Sequence, residues 1–168
     1  KWAEYAGRIL PQVTRVVYDY EQSIEEILLP DSDADVVCLT HNETSNGTHL
    51  KQWNTILAKY PDALIAVDAT SSMAGVALDW QTADIWFASV QKCFGLPAGM
   101  AVMVCSPKAL ERAELIGDRK YYNSLLFIND NFKGVRLNQI GSFIRGARSE
   151  NDEIGKLVKI RNLKDSIV

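Results

Sequence analysis

Four short apolar runs constrain what this chain can fold into. They are DVVCLTH (35–41), ALIAVDA (63–69), ADIWFAS (83–89) and MAVMVCS (100–106). Each is β-branched or aromatic, with little of the in–out alternation of a strand that has one wet face. Such runs read as strands buried on both sides. Helical stretches separate them. THLKQWNTILAKYP (48–61) sets Leu50, Trp53, Ile56, Leu57 and Tyr60 at helical intervals, and Pro61 follows its end. PKALERAEL (107–115) opens on a proline at a first helical position. Nearer the N-terminus, VTRVVYD (13–19) reads as a further strand and QSIEEILLP (22–30) as a short helix stopped by Pro30. The expected fold is α/β, with a central, mostly parallel sheet flanked by helices. At 168 residues the chain has room for one domain or for part of a larger one.

Composition narrows the class. The chain is 47% hydrophobic and 23% charged, an ordinary globular balance. Its longest apolar run, 99–105, is far too short to span a bilayer, so no membrane role is expected. The first ten residues hold no apolar signal-like core. Three cysteines, Cys38, Cys93 and Cys105, are an odd number at no metal-like spacing, which fits reduced thiols and a cytoplasmic protein. The net charge of −3 argues against nucleic acid as a partner. That charge is uneven. Residues 1–132 hold 10 Lys+Arg against 17 Asp+Glu, a balance of −7, whereas residues 133–168 hold 8 against 4, a balance of +4.

In a parallel α/β sheet, ligands gather outside the carboxyl ends of the strands. Three polar clusters stand at such ends: HNETSNG after the first run, DATSS after the second and SVQK after the third. Lys92 is the only charge in ASVQKCFGLPAGMAVMVC (88–105). It is either a stem snorkelling to water or a reagent whose apolar setting helps it to lose a proton and attack a carbonyl. Asp68 ends a buried strand, as a turn or cap aspartate or as a carboxylate aimed at a cationic ligand atom such as a protonated pyridinium nitrogen. In HNETSNG, Thr44 and Ser45 offer hydroxyls and Asn46-Gly47 signals a turn. The structural alternative is a loop in which Ser45, Asn46 or Thr48 caps the following helix. NET and NGT match glycosylation sequons and read as coincidental. His41 and His49 have no metal-site pattern around them. The chain carries no GxGxxG, no GxxxxGK[ST] and no GxSxG motif.

An aspartate ending one strand, about two dozen residues, then SxQK after the next resembles the fold-type-I pyridoxal-phosphate enzymes. THNETSNG, VDATSS and SVQKCFGLPAG together resemble the class V aminotransferase family, closest to its phosphoserine aminotransferase branch. The resemblance covers about residues 1–132. It implies that pyridoxal 5'-phosphate is the cofactor, that Lys92 carries it covalently and shuttles a proton, and that Asp68 binds its ring nitrogen. It also implies Thr44 near the ring hydroxyl, Gln91 at the phosphate with Ser89 beside it, and Thr70 against one ring face. The implied reaction moves an amino group between glutamate and 3-phosphohydroxypyruvate, in a homodimer that takes amino-acid and 2-oxo-acid substrates. Serine– or alanine–glyoxylate transaminases are the alternative within the family, and cysteine desulfurases fit less well because they need a catalytic cysteine on a loop. A non-catalytic α/β remnant acting with a partner chain is the alternative outside it.

The chain also departs from the family pattern. The cofactor-phosphate loop and stacking aromatic are expected upstream of KWAEYAGR. A Thr-Pro segment and a small domain with a substrate-binding arginine are expected after YYNSLLFINDNF. Instead, KGVRLNQIGSFIRGARSENDEIGKLVKIRNLKDSIV follows. Residues 1–132 are therefore read as a partial cofactor-binding large domain. Residues 133–168 are read as an atypical basic tail that arose by frameshift, fusion or fragmentation.

Overall fold

The computed structural model describes residues 2–19, 21–22, 29–30 and 33–132. In chain order the elements are α1 (Trp2–Ile9), β1 (Val36–Thr40), β2 (Asn42–Glu43), β3 (Thr48–His49), α2 (Trp53–Lys59), β4 (Leu64–Asp68), β5 (Ile85–Ser89), β6 (Ala101–Cys105), α3 (Pro107–Ile116) and α4 (Leu125–Phe132). A single 3₁₀ turn, Trp80–Thr82, leads towards β5. The main sheet runs β1-β4-β5-β6. β1 with β4 and β4 with β5 are parallel, and β6 returns antiparallel beside β5. The α/β class and the mostly parallel sheet thus follow from the four apolar runs, all of which are strands.

Packing explains their composition. Leu64, Ile65, Ala66 and Val67 of β4 are all buried, as a central strand covered on both faces must be. β1, at the edge, alternates exposed and half-buried residues. The core gathers Ile65 and Val67 of β4, Trp86 and Ala88 of β5, Ile56 of α2, and Met73, Val90 and Phe94 from the loops beyond the strands. Trp86 lies between Trp53 and Trp80, with ring centroids 5.5 and 5.8 Å away. Truncating so large a buried ring would cost about 3–5 kcal/mol.

α3 is delimited as its sequence requires. Ser106 caps it by accepting the Ala109 N–H, Pro107 opens it, and Gly117 at φ 66° ends it in the left-handed conformation that glycine adopts without strain.

Two expectations fail. Residues 13–19 form no strand and are exposed apart from half-buried Val13. β-branched residues favour a strand only where a neighbour supplies hydrogen bonds and burial, and no described strand pairs with this run. The helix expected over 48–61 is confined to 53–59. Asn46-Gly47 closes a β2–β3 hairpin instead, with Gly47 at φ 75° donating its N–H to Glu43 O. Ser45 and Thr48 spend their hydroxyls inside it, on Glu43 and Asn46. None of the expected residues therefore caps α2, which starts after Gln52 without a side-chain cap. Local side-chain bonds outcompeted helix propensity here. The helix expected at 22–30 falls largely outside the described residues, as do residues 133–168. Among the described residues no helix is long and apolar enough to cross a membrane.

Candidate functional site

Because β1, β4 and β5 are parallel neighbours, their carboxyl ends share one rim of the sheet. The pairing sets Thr40 beside Asp68 and Asp68 beside Phe87. Three loops therefore leave this rim together: the 42–49 hairpin, the 70–75 turn and the 90–94 turn.

Asp68 is half-buried. Its Oδ1 accepts the Thr70 N–H at 2.9 Å, the turn role that one reading of the sequence allowed. Its second carboxylate oxygen takes no hydrogen bond from the described residues. The Asp68 carbonyl accepts the His41 N–H, which joins the loops after β1 and β4 at their roots. Thr70 Oγ1 accepts the Ser89 N–H at 3.2 Å and joins the loops after β4 and β5 in the same way.

Lys92 is exposed in the turn after β5. Its Nζ donates to Ser71 Oγ at 2.9 Å and to Thr44 Oγ1 at 3.2 Å. One residue from each of the three polar clusters thus meets at a single amine. No carboxylate pairs with Lys92 among the described residues. Glu43 is held below the usual carboxylate range chiefly by the Ser45 N–H and O–H, and Lys92 adds only a minor pull. The apolar setting expected around Lys92 is not found. Val90, Phe94 and Leu96 turn into the core while the lysine faces solvent, because those side chains are consumed in covering the sheet. The expected reversal through GLPAG does occur, with Gly95 at φ 65° and Gly99 at φ 115° leading into β6.

Of the residues expected at the site, Lys92 and Thr44 are brought together directly, and Asp68, Thr70 and Ser89 are linked through hydrogen bonds. Gln91 is exposed beside them and joins none of these bonds. Ser71 is the residue that the sequence reading missed. Its signal was its place in DATSS, three residues beyond Asp68. His41 was set aside as a histidine without metal partners. It is 6% exposed and its Nδ1 is hydrogen bonded to Ser72 Oγ at 2.8 Å. Its ring lies 4.5 Å from His49, 5.7 Å from Trp53 and 5.8 Å from Trp86. Burial, with a smaller push from His49, lowers its pKa to about 4.

The chain is similar to known proteins. A family model described as Aminotransferase class-V matches residues 6–122. A phosphoserine aminotransferase from Rhodococcus opacus (strain B4) is 39% identical over 88 residues, which are 52% of this chain and 23% of that protein. The crystal structure of a phosphoserine aminotransferase from Cytophaga hutchinsonii superposes with a TM-score of 0.68 at 35% identity, over 79% of this chain and 38% of that one. A ureidoglycine–glyoxylate aminotransferase from Bacillus subtilis, at 20% identity and a TM-score of 0.52 over 79% of this chain and 34% of its own, shares the fold. The chain spans about a quarter of the length of the curated relatives it matches.

Proposed function

The chain belongs to the aminotransferase class-V family, and on that premise we propose that it forms part of the cofactor-binding large domain of a pyridoxal-phosphate-dependent aminotransferase of the phosphoserine type. The reaction would move an amino group between glutamate and 3-phosphohydroxypyruvate. The observation that carries this reading is the position of Lys92, whose amine rests on two neutral hydroxyls at the carboxyl rim.

The donor set fits the cofactor. An ion-paired lysine would have to break that pair before attacking a carbonyl, and among the described residues Lys92 has only Thr44 and Ser71 to leave. Asp68 keeps one oxygen for a cationic ring nitrogen, and a carboxylate there favours the protonated ring. Bound pyridoxal 5'-phosphate supplies an aldehyde that takes an amine with loss of water, and a protonated ring that accepts the electron pair released at the substrate Cα. The protein's share is to hold and move protons. Lys92 would carry the cofactor and, as a free amine, would hold and move the proton at the substrate Cα. By the family resemblance Thr44 would hold the ring hydroxyl, Thr70 would lie against one ring face, and Gln91 with Ser89 would hold the phosphate.

The relatives' names favour the phosphoserine branch over the glyoxylate enzymes, with 35% identity against 20%, each over 79% of this chain. Two copies per enzyme and a cytoplasmic location follow from the same family reading.

The reading is tested by incubating the chain with pyridoxal phosphate, reducing with borohydride and mapping the labelled lysines by peptide mass. Label concentrated on Lys92, and absent there in Lys92→Ala, supports it. Label spread evenly over the exposed lysines would refute it for this chain.

A further inference from the structure

Lys92 is held by hydroxyls from two segments that are far apart in sequence. Thr44 belongs to the hairpin after β1, and Ser71 to the turn after β4. The amine has one defined position only if those segments keep a fixed spacing beyond the strand ends. A buried side-chain bond crosses between them. His41, three residues before Thr44, is hydrogen bonded to Ser72, the neighbour of Ser71, at 2.8 Å.

We infer that the His41–Ser72 hydrogen bond is a clamp that positions Lys92, by tying the segment that supplies Thr44 to the segment that supplies Ser71. The inference rests on the reading of Lys92 as the cofactor lysine. His41 and Ser72 act through Thr44 and Ser71 and are positioning residues.

Three observations support the clamp. First, both partners are enclosed, His41 at 6% and Ser72 at 0% exposure, so water cannot replace the bond; breaking it strands His41 Nδ1, while the Ser72 hydroxyl keeps a 3.3 Å bond to Ala69 O. Secondly, each half is stiff. The hairpin is closed by Gly47 N–H to Glu43 O and by Leu50 N–H to His41 O, and the turn by Ser72 and Met73 N–H to Ala69 O. A tie at one residue therefore fixes its neighbours. Thirdly, the Ser72 turn lies hard against the Lys92 turn. A Cβ on Gly75 would stand 3.0 Å from Cys93 Sγ, so the two turns approach as closely as a bare backbone allows. The ring of His41 stays uncharged at neutral pH, so the tie needs no buried counter-ion.

The test compares His41→Phe, His41→Asn and Ser72→Ala with the wild-type chain. His41→Phe keeps a flat ring against Trp53 and Trp86 but removes the hydrogen bond. His41→Asn loses the ring but returns an amide group to the place of Nδ1. Amide hydrogen exchange over residues 42–50 and 69–76 reads the clamp without any cofactor. Borohydride trapping of pyridoxal phosphate reads Lys92. We expect His41→Phe and Ser72→Ala to speed exchange in both segments and to lower the preference for Lys92 roughly tenfold, as small misplacements of a reacting group do. His41→Asn should restore most of that preference even where its melting temperature is the lowest of the set. Labelling that simply follows stability, or exchange unchanged in either segment, would overturn the inference. A wild-type chain without preference for Lys92 would sink the proposed function instead, and the exchange data would still decide the clamp.

Discussion

At the scale of single residues, the site is a matter of which groups are charged and what they lean on. Lys92 rests on two hydroxyls and, among the described residues, pairs with no carboxylate. His41 makes the opposite case. Its pKa is about 4 when folded, from an ordinary 6.5. Between those values the unfolded chain binds a proton that the folded chain refuses, so stability rises with pH across this window and is lost as pH falls from 6.5 towards 4. The full effect is about 3 kcal/mol. Urea unfolding between pH 7.5 and 4.5 should show a steeper loss for the wild type than for His41→Phe, which has no ring to protonate. Parallel pH profiles would contradict the assignment. Lys92 and Asp68 stood out in the sequence because a charge inside an apolar run is conspicuous. Ser71 and Ser72 did not, because serine after a strand is common and only its neighbours in space give it work.

At the scale of elements, the end of the sheet opposite the site is held by one carboxylate. Asp84 precedes β5. Its Oδ2 accepts the Ile65 N–H at 3.0 Å, and its Oδ1 accepts the Ser106 hydroxyl at 2.7 Å. Ser106 in turn caps α3. β4, β5 and the β6–α3 junction thus meet at a half-buried side chain, with Lys108 Nζ 4.0 Å away. Asp84→Ala leaves two donors unsatisfied and should cost about 3 kcal/mol, and Ser106→Ala about 1–2 kcal/mol. Denaturant midpoints measure both. A double variant no worse than Asp84→Ala alone would show that the two act as one unit. The strands of the main sheet were legible, because an apolar run too short for a helix fits a strand, although β1 at the sheet edge is half-exposed and not buried on both sides as its run suggested. The extent of α2 was not. Leu50 matches its periodicity, but the hairpin bonds of Asn46, Gly47 and Thr48 claim that stretch first.

At the scale of the whole molecule, apolar surface is left uncovered. Leu115 and Ile116 at the end of α3 are 84% and 69% exposed, and Tyr121 and Tyr122 just beyond them 64% and 82%. Exposed apolar side chains grouped along so short a stretch make it a candidate association surface. The chain should therefore sediment as more than a single copy at micromolar concentrations, and Leu115→Lys/Ile116→Lys should shift it towards the monomer. A wild-type chain that stays monomeric throughout would remove this surface from consideration as an interface. By itself the sequence determined the class of fold, the four strands of the main sheet and the family, because short apolar runs of β-branched residues fit strands and because three polar clusters in fixed order are a specific pattern. Only the tertiary structure decided which hydroxyls meet Lys92 and what ties them together. Those bonds join residues 31 and 48 positions apart, and such a meeting depends on the parallel register of β1, β4 and β5 rather than on any local spacing.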